Sequence, residues 1–230
     1  MLNIEKSLTP RLKMIASLVP PSNAVCDIGT DHGYVAIYLA KNGVAKKVIA
    51  ADIKKGPLMQ AEKNIALFDA TDKVETRLSN GFSAIGQNEA DTCIIAGMGG
   101  ETIAQILENE KGCTHYVLQM QTAHRHLREY LCKNGYIIER EEIAREGNKM
   151  YTALLVKKGE PYSLTEVEME IGPRLIATTP PLFYDYVRYR LYEIESIIKS
   201  IGDTQSGQCR REHCLYLKGE YEKLLKGELK

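Results

Sequence analysis

The sequence has no excess of charge of either sign: 30 Lys and Arg balance 30 Asp and Glu over 230 residues. A whole-chain field that would collect a polyanion is excluded, so any contact with nucleic acid has to be a local patch. No apolar run approaches the roughly 18 residues that a membrane span requires, and no membrane partner is expected. Residues 1–13 lack the apolar block of a secretory leader, which places the expected location in the cytoplasm. The six cysteines, Cys26, Cys93, Cys113, Cys132, Cys209 and Cys214, follow no repeated spacing and read as reduced, mostly packed thiols. Cys209, His213 and Cys214 fit no zinc template and lack a fourth ligand, so no metal is expected. Internal repeats and low-complexity tracts are missing as well. With 44% apolar and 26% charged residues, disorder is excluded as the main state, and the length suits one catalytic domain with a smaller companion.

From residue 24 to about 159, short β-branched runs alternate with helical stretches, the pattern of an α/β fold with a mainly parallel sheet. Strands are expected at 24–28, 47–53, 74–78, 92–96 and 115–119. Between them lie helices at 35–42, 57–68 (Gly56 as its cap, Pro57 first inside), 101–107 and 123–133, the last closed by Asn134-Gly135. Runs 136–145 and 149–157 are joined by Glu146-Gly147-Asn148, of which Gly and Asn tolerate the positive φ of a hairpin turn. Ahead of the first strand, Thr9 caps a helix with Pro10 at its next position. Leu12, Ile15, Ala16 and Val19 share one face of it, Pro20-Pro21 ends it, and it is expected to pack on the sheet. The expected division is a domain over 1–160 and a second over 161–230. In the second, Thr165 to Glu168 has capping-box spacing, and Pro180-Pro181 opens a long helix. Tyr184, Val187, Leu191, Ile194, Ile198 and Ile201 keep heptad spacing, residues 202–208 break it, and Cys214, Leu217, Tyr221 and Leu224 resume it. An antiparallel helical hairpin, coiled-coil in character, follows.

Asp27-Ile28-Gly29-Thr30-Asp31-His32-Gly33 sits where the first strand turns into the first crossover helix, at the edge where open α/β sheets bind ligands. A dinucleotide fingerprint needs bare glycine in the middle position so that backbone can approach a pyrophosphate; here Asp31 stands there. A carboxylate repels phosphate but attracts the sulfonium and α-ammonium of S-adenosylmethionine, which points to a methyl donor rather than to NAD. Asp52, 25 positions after Asp27, closes the second strand where a carboxylate can accept both ribose hydroxyls. Asn80-Gly81 closes the third, beside the expected adenine. Ala96-Gly97-Met98-Gly99-Gly100 closes the fourth, its glycines allowing close passage to the methyl group and Met98 supplying flexible apolar surface. Four such sites on four successive strand ends point together to a methyltransferase.

These residues resemble the bacterial tRNA (adenine-22-N1)-methyltransferases, the TrmK family. The matching segments are Leu8-Thr9-Pro10-Arg11-Leu12, Asp27 to Tyr34, Ala51-Asp52 with Gly56-Pro57-Leu58, Arg77-Leu78 with Asn80-Gly81, and Ile95 to Gly100. In the tail they are Gly172-Pro173-Arg174-Leu175 and Pro181-Leu182-Phe183. Two places depart from the family: Asn80 stands where an aspartate is usual, and Leu118-Gln119-Met120-Gln121 lacks a proline-asparagine pair. The resemblance implies N1 methylation of an adenine in the tRNA D-arm by a Rossmann-like class I methyltransferase sheet ending in an antiparallel hairpin, with the small helical domain behind it in sequence. The cofactor contacts expected are Arg11, Asp27, Gly29, Thr30, Asp31 and Gly33, then Asp52, Ile53, Asn80 and Gly81, then Ala96, Gly97 and Met98.

Adenine N1 carries an in-plane lone pair, so attack on a sulfonium methyl needs no prior deprotonation and positioning is the main task. Asp31 near the donor, and His32, Met98 and Gly99 near the base, are the expected catalytic group, with Asp31 favouring the cationic product ring. Phosphate contacts are expected from Arg11 and Lys13, from His124, Arg125 and Arg128, and from Arg174, Arg188 and Arg190. Tyrosines of the tail offer stacking surfaces, although Tyr184 and Tyr221 fall on the heptad seam. A monomer is expected. Two other readings stay open: a methyltransferase of small molecules, favoured by zero net charge, and a tRNA-binding protein whose donor site is vestigial.

Overall fold

Seven extended runs pair into one sheet: β1 (Ser22–Ile28), β2 (Ala45–Asp52), β3 (Val74–Leu78), β4 (Thr92–Gly99), β5 (His115–Thr122), β6 (Tyr136–Glu146) and β7 (Lys149–Lys158). Their order is β3-β2-β1-β4-β5-β7-β6. Strands β1 to β5 are parallel, and β7 runs antiparallel to both neighbours. Val25, Cys26, Val48, Ala50, Ile94, Ile95, Val117 and Leu118 are buried whichever face they point to, as strands covered on both sides require. This computed structural model describes residues 3–202 and 205–228, and the chain divides into two compact units, Met1–Tyr162 and Ser163–Lys230.

Helices α1 (Pro10–Leu18), α2 (Tyr34–Lys41) and α3 (Lys55–Leu67) adjoin one another, while α4 (Gly100–Leu107) and α5 (His124–Lys133) form a second pair. Ile15, Ile37, Leu39 and Ile65 from the first group join Val48 and Val117 of the sheet in one continuous core. Thr9 caps α1 through its hydroxyl, which accepts from the Leu12 N–H at 3.4 Å, and Glu146 accepts the Arg11 N–H at 3.1 Å. A carboxylate at that end also meets the positive pole of the helix. The sheet order reverses between β1 and β4, which opens a crevice at their carboxyl ends.

Several element boundaries depart from the expectation. Helix α3 begins at Lys55 with Lys54 as its cap, so Gly56 and Pro57 lie inside the first turn, where proline's missing N–H costs nothing. β4 runs on through its glycines to Gly99, and β5 to Thr122, because the two stay paired beyond Ala96 with register shifts around Met98. The hairpin turn is tighter than three residues: Glu146 pairs with Lys149, and Gly147 alone of the linking residues has positive φ, +56°.

In the second unit α6 (Glu166–Ile171) carries the expected capping box, with Glu168 N donating to Thr165 Oγ1 at 3.3 Å and Thr165 N donating to Glu168 Oε2 at 2.8 Å. It is followed by α7 (Pro173–Thr178), α8 (Phe183–Ser200) and α9 (Gln205–Lys226). Lys218 meets Glu195 at 2.8 Å and Arg211 Nη2 donates to Ile201 O at 3.4 Å, pairings that only an antiparallel arrangement of α8 and α9 allows. Val187, Ile194, Cys214, Leu217, Tyr221 and Leu224 are buried along the seam. The expectation for Tyr184 was wrong: it is 43% exposed while Phe183 and Tyr186 are buried. The inward-facing stripe at the start of α8 is thus rotated from the heptad expectation, towards Phe183 and Tyr186. Arg190 lies on that rotated stripe, its Nη2 2.9 Å from Glu170 and its Nη1 donating to the Tyr186 hydroxyl at 3.2 Å. Its expected phosphate contact is therefore corrected: the guanidinium serves the interior. Asp203 and Thr204, part of the expected break, lie outside the described residues.

Arg128 is corrected for the same reason. It is wholly buried, and its Nε and Nη2 both donate to Glu141 Oε1, at 3.0 and 2.9 Å, tying α5 to β6. All six cysteines are free thiols, five buried and Cys209 exposed. Among the described residues no helix is long and apolar enough to cross a membrane. Breaking the buried ion pair from one side leaves an uncompensated charge, so Glu141→Leu is expected to lower urea-measured stability by about 3–5 kcal/mol. Arg128→Met combined with Glu141→Leu should recover most of that loss; a double variant as unstable as the single would contradict this account.

Candidate functional site

The crevice is shaped by one turn. After β1 the chain bends at Gly29, φ +79°, and the Gly29 and Thr30 N–H groups both donate to Ala51 O, at 2.8 and 3.0 Å. A Cβ on Gly29 would meet only the flexible end of Met98, so it is the left-handed conformation that calls for glycine here. Asp31 then takes φ +50°, uncommon outside glycine, and the Asn64 side chain steadies the bend by donating to His32 O at 2.8 Å. The Asp31 and His32 side chains, 3.5 Å apart, are both exposed at the mouth of the crevice.

Two cavities of about 650 and 630 Å³ line up along this edge and share Gly29, Asp52, Ile53 and Met98. The first also has Arg11, Asp27, Thr30, Asp31, His32, Ala96 and Gly97 in its walls. The second has Asn80, Gly81 and Phe82. The Met98 thioether lies against Gly29 where the two meet. Gly33 and Gly99 are off these walls. Gly33 instead holds the left-handed N-cap of α2 against Ala61, and Gly99 packs against Thr122.

Charges in the crevice are unevenly solvated. Burial pushes the Asp27 carboxyl up from the ordinary 3.8 to about 6; the Thr30 hydroxyl, which donates to Asp27 Oδ2 at 2.7 Å, works against this rise and neighbouring Asp52 adds to it. Asp52 Oδ1 accepts the Lys54 N–H at 2.8 Å. Arg11 projects into the same cavity, over the Tyr151 ring at 5.5 Å to its centre, with Nη1 donating to Gln119 Oε1 at 3.2 Å. Its Nε is buried without a hydrogen-bond partner. The walls thus offer carboxylates to a cation and one guanidinium to an anion. S-adenosylmethionine, with a sulfonium, an ammonium and a carboxylate, matches that donor and acceptor set.

Sequence reasoning passed over the groups that hold the walls. Arg77 Nη1 donates to Ala84 O at 2.8 Å and pairs with Glu89, Ser79 Oγ donates to Gly81 O at 2.8 Å, and Ser83 Oγ accepts the Asn80 N–H at 3.0 Å. Thr102 and Gln105 of α4, three residues apart on one helix face, and Asn109 just beyond its end line the second cavity. Of the expected phosphate contacts on the first unit, Lys13 is exposed and His124 and Arg125 are half-buried; on the second, Arg174 and Arg188 are exposed, Arg188 with Asp185 at 3.1 Å. Among the described residues no group of three or more His, Cys, Asp or Glu is placed to hold a metal ion.

Residues 8–154 match the protein-family model described as a methyltransferase domain. A Bacillus subtilis (strain 168) protein named tRNA (adenine(22)-N(1))-methyltransferase is 31% identical over 207 residues, spanning 86% of this chain and 87% of the relative. The chain belongs to this tRNA methyltransferase family. Among solved structures, the B. subtilis m1A22 tRNA methyltransferase TrmK matches with TM-score 0.82 and 29% identity, over 95% of this chain and 98% of that one. M. capricolum TrmK in complex with S-adenosylhomocysteine matches with TM-score 0.77 and 29% identity, over 95% and 96%.

The buried Asp27 carboxylate gives the family site a measurable signature. Because its folded pKa lies above the unfolded value, ionising it costs stability; the cost grows as pH rises from about 4 to about 6 and stays constant above. Asp27→Asn should therefore raise the Tm of the ligand-free protein at pH 8, by an amount on the order of 2 kcal/mol of stability, with the gain shrinking towards pH 5. In calorimetry the same variant should bind S-adenosylhomocysteine at least about tenfold more weakly. A variant that is less stable at pH 8 would contradict the burial argument.

Proposed function

We infer that this chain methylates N1 of adenine 22 in tRNA, using S-adenosylmethionine as donor. The observation that carries the reading is the double cavity on four successive strand ends, acidic at Asp27, Asp31 and Asp52 with the Arg11 guanidinium opposite them, in a chain of this family. The donor supplies an electrophilic methyl group on a positively charged sulfur. Asp52 accepts the ribose hydroxyls, Asn80 and Gly81 flank the adenine beside Ile53, and Asp27 with Thr30 faces the cationic end. Arg11 takes the carboxylate, and the bare backbone at Gly29, Ala96 and Gly97 leaves room for the chain of atoms between.

The target N1 needs no base to free its lone pair, so the protein's share of the rate is alignment. Met98, flexible and apolar at the junction of the cavities, gives the incoming ring a surface to slide against. As positive charge moves onto the adenine, Asp31 stabilises it at the mouth, with His32 alongside. Gly99 contributes by letting β4 stay close to β5 rather than by touching the base.

The N1 edge is normally paired or stacked in folded tRNA, and exposing it costs a few kcal/mol. Lys13, His124 and Arg125 on the first unit and Arg174 and Arg188 on the second supply the phosphate contacts that offset this cost. A cytoplasmic location and action as a monomer complete the reading.

The test is methylation of an unmodified tRNA transcript with labelled donor, followed by digestion to nucleosides. Label is expected in N1-methyladenosine, and a transcript carrying guanine at position 22 should stay unlabelled; label in another nucleoside, or in small molecules alone, refutes the reading. Asp52→Ala removes two charge-assisted hydrogen bonds and should raise the KM for the donor by about tenfold to a hundredfold, with the KM for tRNA little changed.

A further inference from the structure

One buried polar side chain at the cleft has no part in the function described so far. Gln119, on the otherwise apolar β5, is completely buried. Its Oε1 accepts from Arg11 Nη1 at 3.2 Å, from Gly97 N at 3.2 Å and from Gln121 Nε2 at 3.4 Å, and its own Nε2 donates to Met120 O at 2.6 Å. Three donors converge on one oxygen, which fixes the orientation of the amide: turned over, it would set an NH2 against three N–H groups and its oxygen against a carbonyl. This single acceptor joins α1, through Arg11, to the end of β4, through Gly97.

We propose that Gln119 is a positioning residue for the amino-acid end of the methyl donor, holding the Arg11 guanidinium and the Gly97 N–H so that Arg11 receives a ligand carboxylate. The proposal rests on the reading that S-adenosylmethionine occupies this cleft. Two observations favour it over a purely structural role. Arg11 is gripped by Nη1 and by the Tyr151 ring beneath it, while its Nη2 makes no hydrogen bond to a protein group among the described residues and is left for a ligand. Second, the acceptor is an amide. A carboxylate in that place would hold Arg11 more strongly, but it would neutralise the guanidinium and compete with the ligand's own carboxylate. An amide orients the cation and leaves its charge for the ligand. The nearby acid, Glu146, bonds to the Arg11 backbone N–H.

The experiment compares two ligands by calorimetry: S-adenosylhomocysteine, which has the amino-acid end, and 5′-methylthioadenosine, which lacks it. Gln119→Met should weaken S-adenosylhomocysteine by about tenfold and leave 5′-methylthioadenosine within about twofold. Gln119→Glu keeps the acceptor oxygen but loses the N–H to Met120 O; ionised beside Arg11, it should still weaken S-adenosylhomocysteine by about fivefold or more at pH 8 while sparing the shorter ligand. Combined with Arg11→Met, the Gln119→Met change should add less than about a twofold loss, because the residue through which it acts is gone. Equal weakening of both ligands, multiplicative losses in the double variant, or full S-adenosylhomocysteine affinity in Gln119→Glu would each overturn the proposal. If the unmutated protein binds neither ligand, the donor assignment itself fails, and that result is distinct from the others.

Discussion

The cleft depends on keeping opposite charges close together without letting them cancel. Asp27 and Arg11 line the same cavity, yet each is held by a neutral partner: the carboxylate by the Thr30 hydroxyl, the guanidinium by the Gln119 amide. Had the two paired with each other, the cavity would present a satisfied salt bridge and have little left for a ligand carrying both signs. Neutral partners fix direction without using up charge, which is what a site for a zwitterion with an added sulfonium requires. The interior of the protein follows the opposite rule. Arg128 with Glu141 and Arg190 with Glu170 are direct ion pairs, because there the aim is a satisfied, immobile connection between elements.

That arrangement has an energetic consequence for the fold. A carboxyl lifted to about 6 by burial is a standing cost to the ligand-free protein. The cost is tolerated because the turn carrying it is tied to the centre of the sheet through the two N–H groups that converge on Ala51 O, and β1 and β2 beneath are buried on both faces. The left-handed residues Gly29, Asp31 and Gly33 lie within five positions on that support. Strain and desolvation are thus concentrated in one short turn, and the rigid sheet edge positions it.

Much of this was legible in the sequence, for definite reasons. A parallel sheet has short strands ending in ligand-facing turns, so the placement of Asp27, Asp52, Asn80 and Gly97 followed from strand ends alone, even where the ends themselves were off by one to three residues. β4 was read too short because glycines look like loop, whereas Gly97 to Gly99 remain paired with β5. Tyr184 was misread because heptad spacing assumes two helices alone, whereas α8 also meets Glu170 of α6 through Arg190. Arg128 was misread because a charge was weighed by its type rather than its position. It falls three and four residues before Leu131 and Cys132, both buried, and that spacing already placed it on the inner face of α5. Gln119 left a fainter signal, one polar side chain inside an apolar strand, and its meaning comes only from the three donors brought to it from α1, β4 and Gln121.

The neutrality of the whole chain bears on substrate choice. Arg128 and Arg190 are committed to internal acids, and over the chain 30 acidic residues balance the 30 basic ones, so long-range attraction to a polyanion is weak and contacts with a phosphate backbone have to be local. On the proposed reading the cost of exposing the N1 edge has to be recovered from few contacts, divided between Lys13 and Arg125 on one unit and Arg174 and Arg188 on the other. On that reading an enzyme with a strongly basic surface would hold many RNAs, whereas a neutral one favours the RNA whose backbone meets these local patches, and selectivity comes from shape more than from charge.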